Sequence, residues 1–194
     1  MLVGMSSDTH LLLALPMESQ GLFEAAGIPV FYSGIGKVNA ASKAAELIHR
    51  NGARFILNMG TAGSDRFPTH TLVECSAVVQ RDMDISPLGF PVGETPMDPI
   101  GGRIDLEELF PDLPKGVCGT GDIFDTGAPK IPCDLVDMEA YAIAKVCRQN
   151  GISFAAVKYI TDGCDHNAHN DWQANLIPGA KALLEVYGRF RMSL

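Results

Sequence analysis

The chain has 194 residues, 23 acidic side chains against 15 Lys and Arg, a net charge of −8 and 46% hydrophobic content. That length can bury a full core without staples, so one domain over 1–194 is expected. The acid excess gives no electrostatic footprint for a phosphate backbone or an anionic bilayer, which removes nucleic acid and membrane as expected partners. No Lys or Arg precedes Lys37 and the apolar run Leu11–Leu15 is short, which argues against a secretory leader. Five cysteines (Cys75, Cys118, Cys133, Cys147, Cys164) are odd in number and lack C-x-x-C spacing. They read as reduced thiols of a cytoplasmic protein.

Along the chain, β-type runs alternate with helical ones, the pattern of an α/β fold. Leu11–Leu15 is an expected strand, Ser19–Ala26 a helical stretch capped by Gly27, and Pro29–Ser33 a second strand. Val38–Arg50 reads as a helix with its apolar face at Val38, Ala41, Ala45 and Ile48, stopped by Asn51-Gly52. Phe55–Met59 is a third strand closing on a Gly60-Thr61-Ala62-Gly63 turn, and Thr71–Val79 a fourth. Asp84 to Pro114 is rich in Pro and Gly yet carries Leu88, Phe90 and Met97, as an ordered lid or interface loop would. Val117–Thr120 and Cys133–Val136 follow as short strands, then Met138–Gln149 as a helix. Ser153–Thr161 is β-rich enough for a central strand. Asp171–Tyr187 is helical, with a break or kink expected at Pro178-Gly179.

In open α/β sheets ligands sit beyond the carboxyl ends of the strands, so the residues found there are the place to look. Glu18 follows the first strand, Gly60–Gly63 the third, Asp137-Met138-Glu139 the Cys133–Val136 strand and Asp162-Gly163 the long one. Each acid alone has an ordinary use in a first helical turn or a tight turn. Together, and without Lys or Arg among them, they fit a neutral, hydroxyl-rich or cationic ligand better than a phosphorylated one. Arg81 ends the fourth strand and is expected to pair with Asp82 or Asp84.

Sharper signatures fail. Gly34-Ile35-Gly36-Lys37-Val38-Asn39 lacks the third glycine of a dinucleotide fingerprint, and Val38 stands where a P-loop needs Ser or Thr. Cys164-Asp165-His166-Asn167-Ala168-His169 gathers metal-capable side chains, but no fourth ligand is spaced to match. A polar loop entering the last helix explains it equally well.

Six segments in order resemble the motifs of the purine nucleosidase and nucleoside phosphorylase family. They are Ala14–Glu18, Gly34–Ala41, Asn58–Gly63, Thr120–Phe124, Val136–Ala140 and Ile160–Asp162. Within it the chain is similar to the methylthioadenosine/S-adenosylhomocysteine nucleosidase branch. The resemblance implies a mixed, mainly parallel sheet flanked by helices, and hydrolysis of the N-glycosidic bond of adenine nucleosides. It implies that Asp162 protonates the departing purine at N7 and that Glu18 orients and deprotonates the attacking water. Glu139 would bind ribose hydroxyls, Met138 would pack on the sugar, and Phe124 with Ile123 beside it would hold the base. Thr61 and Gly63 would line the ribose and water side. No metal or organic cofactor is implied, and a homodimer is.

Bond breaking places positive charge on the ribose and negative charge on the purine, which a proton donor at N7 and carboxylates near the sugar would stabilise. A phosphate nucleophile would need arginines or amides to hold it. The absence of basic residues before Lys37 therefore favours water, with Arg81 as the residue that could reverse this. A phosphate-dependent phosphorylase and a non-catalytic nucleoside-binding protein on this scaffold are the rival readings. Thr61 stands where the branch more often has Ser, and Asp125 where an apolar residue is common.

Overall fold

The computed structural model describes residues 8–123, 130–165 and 168–193. Phe124, Asp125 and His166 lie outside the described residues. The elements run β1 (Thr9–Leu13), α1 (Pro16–Ser19), α2 (Leu22–Ala25), β2 (Val30–Tyr32), α3 (Lys37–Asn51), β3 (Phe55–Gly63) and β4 (Leu72–Gln80). They continue with β5 (Arg103–Asp105), β6 (Lys115–Thr120), β7 (Leu135–Asp137), α4 (Ala140–Gln149), β8 (Ser153–Asp162) and α5 (Ala168–Ser193).

The sheet order is β2-β1-β3-β7-β6-β4-β5, with β8 pairing both β3 and β4. β3, β7, β6, β4 and β8 thereby close a ring, so the sheet is not simply open. Parallel pairs join β1 to β2 and β3, β3 to β8, and β6 to β4 and β7. β3–β7, β4–β5 and β4–β8 are antiparallel. The mixed, mainly parallel α/β sheet expected from the sequence is the one found.

Side-chain alternation sets the layers. Leu11 and Leu13 of β1, Phe55, Leu57 and Met59 of β3, and Ala155, Val157 and Tyr159 of β8 pack with Leu183, Val186 and Phe190 of α5. The intervening Leu12, Ile56, Ala156 and Ile160 pack with Ala40, Ala44 and Leu47 of α3 and with Tyr141 and Ile143 of α4. The buried stripe of α3 is thus Ala40-Ala44-Leu47, and Val38, expected on the core face, is 81% exposed. Periodicity gave the helix; packing against α4 chose a neighbouring stripe.

Other expectations are corrected locally. Ser19–Ala26 is not one helix: two single turns are separated by Gln20 and Gly21, both left-handed at φ 51° and 70°. Gly60–Gly63 is strand rather than turn, because β8 pairs along it from Gly60↔Lys158 to Gly63↔Asp162. Met138 and Glu139 precede α4 because the Asp137 carboxylate accepts the Ala140 amide at 2.9 Å and starts the helix there. α5 runs through Pro178. The lost ladder bond costs about 3 kcal/mol, less than burial of Leu176, Leu183, Val186 and Phe190 returns. The Asp84–Pro114 segment is mostly irregular as expected, but contributes the edge strand β5.

Candidate active site

The carboxyl ends of β3, β4, β6, β7 and β8, with the turn after β1, meet at one cavity of about 230 Å³. Glu18, Thr61, Gly63, Ile123, Met138, Glu139 and Asp162 all line it. Seven of the eight residues singled out from the sequence are therefore brought together, and the eighth, Phe124, lies outside the described residues.

Three of the lining acids, Glu18, Glu139 and Asp162, are buried, each in a different environment. Glu18 sits in α1, yet its carboxylate folds back on the chain. Oε2 accepts the amides of Ala14 and Leu15, both at 3.0 Å. Oε1 accepts the Thr61 amide at 2.8 Å and the Thr61 hydroxyl at 2.9 Å. Four donors occupy the lone-pair positions of one carboxyl group. Gly60 is what lets Glu18 reach β3, since a Cβ there would stand 2.8 Å from Oε1.

Asp162 ends β8. Its Oδ2 accepts the Thr161 hydroxyl at 2.9 Å and its Oδ1 the Cys164 amide at 3.1 Å. Burial raises its proton affinity above the usual carboxylate range; those two donors oppose the shift, and Asp171 and Asp165 add to it. Gly63 faces it: a Cβ there would lie 2.6 Å from Oδ1 and 2.7 Å from Cys164 Sγ. The glycines that resembled a turn are the places where two carboxyl groups press against a strand.

Glu139 accepts the Gly36 amide at 2.9 Å, and Gly36 holds φ 93° to present it. Burial, reinforced by the Asp137 charge, pushes the Glu139 carboxyl up to about 8. Beneath it lies an ion pair: Lys158 Nζ meets Asp137 Oδ2 at 2.8 Å, with Lys158 2% exposed. Burial alone would neutralise both, but their mutual attraction outweighs it, holding Asp137 low and Lys158 high. Asp137 also accepts the Thr120 hydroxyl at 2.6 Å, tying the ends of β6, β7 and β8 together.

The Gly34–Lys37 turn anchors the site rather than a nucleotide. The Lys37 amide donates to Asp122 at 2.8 Å, and its ammonium pairs with Asp82 at 2.5 Å. Asp84 is held by Lys130. The carboxylates expected to take Arg81 thus serve other cations. Arg81 is buried, lines the cavity and donates to the Ile123 carbonyl at 2.5 Å. Its place after β4 was the available signal, equal to that of the acids after their own strands. Trp172, which also lines the cavity, gave no local signal; the packing of α5 brings it there. Among the described residues, no three His, Cys, Asp or Glu side chains gather as metal ligands, and no helix is long and apolar enough to cross a membrane.

Residues 19–190 match the family pattern of the Phosphorylase superfamily. The chain belongs to that superfamily. A 5′-methylthioadenosine/S-adenosylhomocysteine nucleosidase of Anoxybacillus flavithermus is 31% identical over 165 residues, spanning 73% of this chain and 70% of that relative. Among solved structures, the nucleosidase of the same name from Helicobacter pylori, bound to butyl-thio-DADMe-Immucillin-A, superposes with a TM-score of 0.86 at 22% identity. That match covers 96% of this chain and 98% of the other. Futalosine hydrolase of the same organism gives 0.86 at 23% identity over 96% and 97%. The superfamily fold therefore accounts for the order of the motifs.

Proposed function

We propose that the chain is a purine nucleoside N-ribohydrolase acting on adenine nucleosides, with methylthioadenosine and S-adenosylhomocysteine as first substrates. The observation that carries this is one cavity lined by four buried carboxyl groups, Glu18, Glu139 and Asp162 in distinct environments beside the ion-paired Asp137. Asp162, whose proton affinity burial raises, donates to N7 of the leaving purine. Glu139 and Met138 hold the sugar, and Phe124 and Ile123 hold the base. Thr61 and Gly63 line the water side. Glu18, already accepting four donors, acts chiefly as a fixed negative charge that orients water beside the cationic sugar. An oxocarbenium-like centre asks little of its nucleophile, so orientation matters more there than proton abstraction.

The whole of 1–194 works as one domain, in the cytoplasm and as a homodimer. Support for the dimer is the exposure of apolar Ile35, Val38, Leu88 and Phe90 on the single chain. Sedimentation of the purified protein as a monomer would count against it.

The phosphorylase alternative rests on Arg81, which is the sole Lys or Arg lining the cavity among the described residues. Base release from methylthioadenosine, adenosylhomocysteine, adenosine, inosine and futalosine-type nucleosides, each with and without phosphate, decides the matter. Phosphate-independent release of adenine is the expected result; strict dependence on phosphate would convert the assignment to phosphorolysis.

Gly63→Ala tests the geometry. Its methyl group must displace both Asp162 and Cys164, and a displacement of about 1 Å lowers turnover on the order of 100-fold. The variant should fold, so turnover measured beside a thermal unfolding curve separates the two effects.

A further inference from the structure

We infer that Trp172 is a positioning residue, holding Glu18 through the hydroxyl of Thr61. The indole Nε1 lies 3.0 Å from Thr61 Oγ1, and that oxygen lies 2.9 Å from Glu18 Oε1. Indole nitrogen is a donor only, so the Thr61 oxygen must accept from it. The single hydroxyl hydrogen is then directed to Glu18, which accepts it together with the Thr61 amide. The direction of the whole chain, from Trp172 to Thr61 to Glu18, follows from what each group can donate.

Without the indole, the Thr61 hydroxyl is free to rotate and serve another acceptor, and Glu18 loses a fixed partner on the water side. Trp172 is the only tryptophan in the sequence and sits in the first turns of α5, about 110 positions from Thr61, so the contact is made by the docking of α5 on β3. Its ring also borders the cavity beside His169. A purely lining role would affect substrate binding and would not depend on the hydroxyl at position 61.

The inference draws its reaction readout from the nucleosidase reading but stands on the contact itself. The test combines Trp172→Phe, which keeps an aromatic ring and removes the N–H, with Thr61→Val and Thr61→Ser. Trp172→Phe is expected to lower kcat for methylthioadenosine roughly tenfold while KM changes less than about threefold. The same loss is expected in the Thr61→Ser background, and none in Thr61→Val, where the relay is already cut. An undiminished loss in the Thr61→Val background, or a change confined to KM, overturns the inference. If the wild-type chain releases no purine from any nucleoside, the functional reading fails instead. The cycle of Trp172→Phe with Thr61→Val is then read in unfolding midpoints, where non-additive shifts support the relay and additive ones overturn it.

Discussion

Asp162→Asn is expected to lower adenine release from methylthioadenosine by about 10²–10⁴-fold, the usual worth of a positioned general acid. The amide oxygen can keep the Cys164 amide, and the NH2 that replaces Oδ2 can donate to a Thr161 hydroxyl turned toward the Ala62 carbonyl, so the fold around the site should persist. What it lacks is a transferable proton. Since burial first, and nearby acids second, raise the proton affinity of Asp162, the active protonated form is lost as pH rises through its folded-state titration. Wild-type turnover should therefore fall on the alkaline side, and the residual activity of the variant should lose that limb. Measuring kcat against pH for both proteins checks the claim; an unchanged rate would remove Asp162 from the chemistry.

Lys158→Met carries the largest expected effect on stability. Met matches the stem of the lysine but leaves Asp137 buried with no cation beside it. Breaking a buried pair from one side costs about 3–5 kcal/mol. For a domain of this size that is a fall in Tm of about 6–20 °C. Asp137 is held below its ordinary range in the folded state, so its contribution is present above that range and disappears as pH falls through the folded value. The gap between variant and wild type should accordingly narrow in acid. Urea unfolding at neutral and acidic pH measures both parts, and a gap that stayed constant would point to packing rather than charge.

Much of the site was legible because its acids sit immediately after strands that the sequence marks well. Glu18, Glu139 and Asp162 each follow an apolar run, and a strand end is a local property. The Gly60–Gly63 segment was misread because glycines usually punctuate a chain, whereas here they make room for Glu18 and Asp162, side chains from β1's turn and from β8. Val38 lies off the core face because an alanine-rich helix offers two neighbouring small-residue stripes, and packing against α4 decides between them. Lys158 and Trp172 were invisible for a shared reason. Their significance lies in partners far away in sequence, Asp137 and Thr61, and no window along the chain contains both members of either pair.

Ring closure also limits how copies of this molecule can meet. Among the described residues, the strands left at the margins of the sheet are β2 and β5, each three residues long. β5 carries an exposed Arg103 and Asp105 bonded to each other at 2.8 Å, which keeps charge along that margin. Such short borders, one of them charged, are poor templates for strand addition, the usual route to open-ended aggregation. Contact between copies is then left to side chains on the faces of the molecule rather than to strand edges.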